Sequence, residues 1–223
     1  MKTSLPAALN NIDLMREVMP FWYTFKYNNS KASITDLYTP ANPSVPMDQA
    51  LSTMKNAGLT IIPTITDGTD KQVLANLIST PDGRAAAVKV ISDLVSQKNF
   101  DGIDLDFENF AFVDPNTTWD QTKVFWIAFV KQLSAALHTN GKLLSITTPY
   151  LLDPASGKKG YYVYAWSDIA TSIDRLRIMT YDYSVANPGP IGPINWTENT
   201  VKYAVSIMPA SKVYVGLAGY GRD

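Results

Sequence analysis

The chain of 223 residues is 46% hydrophobic and 17% charged, a balance that suits one globular domain with a sizeable core. Its formal net charge of −1 offers no electrostatic attraction to nucleic acid or an anionic membrane, and no apolar run reaches the roughly 18 residues of a membrane span. The absence of cysteine excludes disulfides and Cys-ligated zinc while leaving the compartment open.

The first residues, Met1–Pro6, lack the apolar core of a signal peptide. Ser4–Asn10 reads as a partial helix, and Val18–Phe25 is the first clear strand. Residues 28–46 are polar and proline-bearing and read as a loop with room for a short hairpin. Met47, Ala50, Leu51 and Met54 form the stripe of a helix over Met47–Ala57, ended by Gly58. Leu59–Thr66 is the next strand and Asp67-Gly68 a turn. Helical pattern resumes over Asp70–Thr80 and Asp82–Asn99, with Val88, Ile91, Leu94 and Val95 as the buried stripe of the second piece.

The segment Asp101-Gly102-Ile103-Asp104-Leu105-Asp106-Phe107-Glu108 follows. A solvated acidic run would not carry large apolar residues at every second place, so the alternation predicts a strand over Phe100–Glu108. Asp104, Asp106 and Glu108 then share one face, with successive Cα atoms roughly 6.6 Å apart. The apolar spacers point the other way, toward covering helices. Asp101 has the spacer parity and reads as a structural acid at the strand entrance. Carboxylates this close force at least one pKa upward, and a carboxyl that keeps its proton is what general acid catalysis needs. A metal-ligand cluster and an ion-paired core strand are the competing readings of the same residues.

Asn109–Thr118 reads as a loop. The helix after it, Trp119–Thr139, opens on a capping box of Thr118 and Gln121 and closes at Asn140-Gly141. Its stripe is Trp126, Phe129, Val130, Leu133 and Leu137. His138, the sole histidine, is expected as an exposed residue near the C-terminal end of the helix dipole. Then come strand Lys142–Tyr150, a short helix around Tyr164–Ser172, strand Leu176–Tyr183, a Pro/Gly-rich loop over Ala186–Trp196, helix Glu198–Met208 and strand Lys212–Tyr220. Six strands separated by helices argue for an α/β fold with a parallel sheet, and a uniform composition argues for one domain over residues 1–223.

The acidic segment resembles the Asp-x-x-Asp-x-Asp-x-Glu signature of the family 18 glycoside hydrolases, the chitinase-like group. Met179-Thr180-Tyr181-Asp182 and Tyr220-Gly221-Arg222 resemble two further motifs of that family, in the same order. The resemblance implies a (β/α)8 TIM barrel. Six strands leave that barrel incomplete, with the family's first and last strands missing and supplied by a parent chain or a partner. It also implies hydrolysis of polymers of N-acetylglucosamine, chitin or the peptidoglycan glycan, without a cofactor. A cell-wall or extracellular setting goes with that substrate.

By the same resemblance Glu108 is the proton donor to the glycosidic oxygen. Asp106 turns between its neighbours and helps hold the substrate's acetamido group, and Asp104 is the buried acid that shares a proton with it. Tyr181 donates its hydroxyl to the acetamido oxygen. Asp182, Met179, Tyr220 and Arg222 are expected to line or orient the substrate site. Sugar rings stack on aromatics, so Trp22 near a strand end and Tyr150 and Trp196 in loops are candidate subsites. A binding-only protein, or a barrel too incomplete to turn over, are the alternatives.

Overall fold

The computed structural model describes residues 4–42, 44–152 and 160–221. In chain order, helix α1 is Ser4–Asn10, strand β1 Glu17–Val18, β2 Phe21–Asn28, β3 Lys31–Asp36, α2 Tyr38–Ala41 and α3 Met47–Asn56. Strands β4 Thr60–Ile61 and β5 Thr64–Asp67 precede α4 Val73–Ser79, α5 Pro81–Gln97, β6 Gly102–Asp106 and α6 Asn109–Phe112. The remainder is α7 Trp119–His138, β7 Leu143–Pro149, α8 Trp166–Ile169, β8 Arg175–Met179, α9 Ile194–Ile207 and β9 Val213–Val215.

The main sheet runs β3-β2-β5-β6-β7-β8-β9. Its last six strands are parallel, which bears out the expected strand count, and helices connect them as in βα units. Among the described residues β3 and β9 stay at opposite edges of the sheet, so the barrel is not closed.

Two features differ from the expected elements. Lys31–Asp36, read as loop, is a strand antiparallel to β2. Asn29 and Ser30 both have positive φ, 51° and 59°, the pair of left-handed residues that a two-residue hairpin turn requires. The strands expected at 18–25 and 59–66 are each split. Pro20 and Pro63 lack the N–H a ladder needs, so β1 pairs with β4 below them and β2 with β5 above.

The core lies between the sheet and its helices. Phe107 stacks on Phe129 at 6.4 Å and meets Phe25 at 5.8 Å, while Ile103 and Leu105 are fully buried on the same side. All four stripe residues of α3 are buried; on α5 it is Ala87, Ile91 and Val95, with Val88 and Leu94 partly covered. Helix caps were less legible. Thr80 caps α5 by accepting from Gly83 N at 3.1 Å with Pro81 in the first turn. Thr118 makes no side-chain cap on α7; its hydroxyl donates back to Pro115 O at 2.8 Å. His138 is exposed as expected, and its Nε2 lies 2.8 Å from Asp174 Oδ2.

Candidate active site

Strand β6 ends at Asp106, two residues short of the expected end. Glu108 has helical φ and ψ, −108° and −22°, because α6 starts there. The amides of Ala111 and Phe112 both donate to Glu108 O at 2.9 Å. The backbone turn is fixed from both sides, by Tyr164 OH on Phe107 O at 2.8 Å and by Asn109 Nδ2 on Thr69 O at 2.7 Å. Strand alternation therefore does not place Glu108. A tight turn does, and it brings the Glu108 side chain into hydrogen bonding with Asp106.

Asp104 is fully buried. Register sets Thr64 of β5 and Ser145 of β7 on either side of it. Ser145 Oγ donates to Oδ1 at 2.5 Å, Thr147 Oγ1 reaches both oxygens at 3.1 and 2.9 Å, and Thr64 Oγ1 donates to Oδ2 at 3.2 Å. Burial pushes its carboxyl up while these hydroxyls and Arg177, 4.0 Å away, pull it down. Asp101 is structural, as expected: its Oδ2 accepts Ile61 N at 2.8 Å.

Asp106 is pushed up to about 8, first by burial, then by the negative charges of Glu108 and Asp104 and by its hydrogen bond to Glu108. The acid expected to turn between its neighbours is held toward Glu108 here. Its Oδ1 is buried without a partner. A proton on Asp106 is the form that can donate to Glu108, so these two carboxyls act as one titrating pair.

Tyr181 lies just past β8, half-buried. Burial and the charge of Asp106 push its hydroxyl up to about 12. Its ring rests against Gly216, where an added Cβ would come within 2.8 Å of Tyr181 Cε1 and 2.7 Å of Ile178 O. Met179, Tyr181 and Gly216 line a cavity of about 230 Å³ together with Thr147, Arg177 and Tyr214. Asp182 accepts from Tyr220 OH. Arg222 lies outside the described residues.

The aromatic candidates separate. Trp22 is buried, 4% exposed, edge-on to Tyr38 at 4.8 Å, so it packs the core and presents no open ring face. Tyr150 and Trp196 meet at 5.1 Å in a row that continues to Tyr161 and Phe112 on one side and Tyr183 on the other. Tyr161 feels the charge of Glu108, which sets this row beside the acids.

Sequence reasoning missed Thr64, Ser145, Thr147 and Arg177 around Asp104. Ser145 and Thr147 do alternate with the buried Leu144 and Ile146, a visible sign that hydroxyls face the acid side. It also missed Asp67 at the end of β5. Burial pushes this carboxyl up to about 6 against the pull of Thr69, and its Oδ2 is buried without a partner. Among the described residues no three His, Cys, Asp or Glu side chains are grouped to hold a metal ion.

Comparison with known proteins gives one consistent family. The family described as "Glycosyl hydrolases family 18" matches residues 9–223. The "Putative sporulation-specific glycosylase YdhD" of Bacillus subtilis is 26% identical over 226 residues, covering 96% of this chain and 50% of its own length. The chain thus spans about half the length of that relative. Among solved structures, a chitinase from Chromobacterium violaceum superposes with a TM-score of 0.77 at 23% identity, covering 95% of this chain and 64% of its own. The Bacillus cereus spore cortex-lytic enzyme SleL gives 0.73 at 18% identity, covering 97% and 47%. At these identities the structural matches establish the fold: an α/β, mostly parallel sheet like that of the family's barrels.

Proposed function

The chain belongs to glycosyl hydrolase family 18, and on that basis we propose that it is a retaining hydrolase of β-1,4-linked N-acetylglucosamine polymers with Glu108 as general acid and base. The observation that carries this reading is the Asp106–Glu108 hydrogen bond, in which burial and two neighbouring anions keep a proton available at neutral pH.

In this mechanism Glu108 passes the pair's proton to the glycosidic oxygen, and the bond from that oxygen to the anomeric carbon breaks. The acetamido carbonyl oxygen of the same sugar forms a bond to that carbon from the opposite face, so no enzyme carboxylate serves as nucleophile. Asp106, left as a carboxylate, accepts the acetamido N–H and balances the positive charge of the oxazolinium ring. Tyr181 donates to the acetamido oxygen. Water then attacks the anomeric carbon while Glu108 takes its proton, the acetamido bond breaks, and two inversions retain the configuration. The row Phe112, Tyr161, Tyr150, Trp196, Tyr183 offers ring faces and edges to successive sugars.

The named relatives suggest two polymers, chitin and the glycan of peptidoglycan. One observation favours a competing reading. The sheet is open at β9, on the side of the cavity that holds Tyr181. A chain that binds the sugar yet needs further strands for turnover would have this form.

The test is release of 4-methylumbelliferone from its di-N-acetylchitobioside, with Glu108→Gln alongside. Turnover that disappears in the variant supports the hydrolase. Folded wild-type protein that binds chitooligosaccharide without releasing fluorophore replaces it with the binding-only reading.

A further inference from the structure

Below the acids, the interior face of the sheet carries a charged network that the proposed reaction does not use. Glu17 of β1 accepts from Arg175 Nε at 3.1 Å and Tyr214 OH at 2.8 Å through Oε1, and from Arg177 Nη2 at 3.2 Å through Oε2. Both guanidinium groups lie over the Tyr214 ring, at 5.3 and 4.5 Å. Arg177 reaches further up. Its Nε donates to Ser145 Oγ at 3.1 Å, and the same oxygen donates to Asp104 Oδ1 at 2.5 Å.

We propose that Arg177 is a positioning residue for the acid row: acting through Ser145, it holds Asp104 as the fixed anion and so keeps the row's proton on the Asp106–Glu108 pair. This rests on the hydrolase reading of that pair and extends it to a residue that touches neither substrate nor reacting atoms.

The hydrogen-bond directions carry the argument. An arginine keeps its protons at any working pH, so its Nε–H occupies a lone pair of Ser145 Oγ. The serine hydrogen is then aimed at Asp104, and a hydroxyl that must donate selects an accepting carboxylate oxygen. Thr147 and Thr64 complete the donors on Asp104. Without Arg177 the serine could accept from a protonated Asp104 as readily as donate to an anion.

Charge balance points the same way. The groups facing Asp104 are Arg177 and, behind it, Arg175 of β8, Glu17 of β1, Tyr214 of β9, and Asp106 and Glu108 on its own segment. Glu17 offsets one of the two arginines. The second has only Asp104 as its counter-charge, and a neutral Asp104 would leave a half-buried guanidinium uncompensated. As an anion Asp104 in turn repels charge on Asp106.

Aspartate labelled with carbon-13 at the side-chain carboxyl allows each acid to be titrated by NMR in this chain, without turnover. The Asp104 and Asp106 signals are assigned by their loss in Asp104→Asn and Asp106→Asn. In wild type the Asp106 signal is expected to titrate near 8. In Arg177→Met its midpoint falls by about one pH unit or more as Asp104 takes up the proton, and Arg177→Lys, which restores the charge, recovers most of that change. Ser145→Ala, which removes the bridge but keeps the Glu17 ion pairs, moves the midpoint the same way by less, and it decides the matter if Arg177→Met does not fold. An Asp106 midpoint unmoved in folded Arg177→Met or, failing that, Ser145→Ala overturns the proposal and leaves Arg177 as a structural partner of Glu17. An inactive wild type in the fluorogenic assay sinks the hydrolase reading separately.

Discussion

Tyr220 donates its hydroxyl to Asp182 Oδ1 at 2.6 Å, tying the segment after β9 to the turn after β8. Asp182 sits there with a left-handed φ of 58°, a conformation that L-residues other than Asn and Asp rarely adopt. The turn it makes directly follows Tyr181. Tyr220→Phe keeps the ring and removes the bond. Because Tyr220 is 48% exposed, the expected stability loss is at the lower end of the range for a hydrogen bond, about 0.5 kcal/mol. Urea unfolding measures it, and an unchanged midpoint would mean that water replaces Asp182 at no cost.

Glu108→Gln is expected to lower turnover by about 100-fold or more, the scale of a lost general acid. Asp106→Asn should lower it as well and also change the pH profile. The pair loses its proton as pH rises through about 8, so the wild-type rate falls on that limb. An Asn cannot titrate, so the limb should move or vanish. A profile identical in shape to wild type would argue against Asp106 as the titrating group.

Asp67 makes a prediction of the opposite sign from most core substitutions. Its folded pKa, about 6, is raised above the model value of 3.8, so the folded state binds the extra proton between those values. The contribution is fully present below about 4 and is lost as pH rises through about 6, worth up to roughly 3 kcal/mol. Asp67→Asn keeps an acceptor for Thr69 and removes the charge. Thermal melts should show the variant ahead of wild type at pH 7.5 and level with it or behind at pH 4. Equal melting points at both values would show that Asp67 is solvated well enough to ionise freely.

Gly216→Ala tests how closely Tyr181 is held. The added methyl meets Ile178 O and the Tyr181 ring below normal contact distance, so one of them must move. A stability loss of about 1–3 kcal/mol is expected, with a larger fall in turnover than in sugar binding. Full activity would separate Tyr181 from the reaction.

The alternation of Asp104 and Asp106 with Ile103, Leu105 and Phe107, the helix stripes and the sequence of strands and helices were readable from the chain alone, and so was the family. Each depends on the period of one segment, which sorts side chains between two faces wherever that segment ends up. The strand end before Glu108 was not readable, because a helical turn captured by Phe107, Asn109 and their distant partners overrides the local alternation. Nor was the burial of Trp22 against Tyr38, or the splitting of two strands by prolines that leave continuous pairing on either side.

The amino-acid sequence by itself determined the acid strand, its apolar reverse face and the family that uses such a strand. Only the tertiary structure decided which groups surround those acids. Register across β5, β6 and β7 brings Thr64 and Ser145 level with Asp104, and the curl of the sheet carries Glu17 to Arg177, 160 positions along the chain. Such partners follow from the sum of all strand pairings, and no local pattern contains that sum.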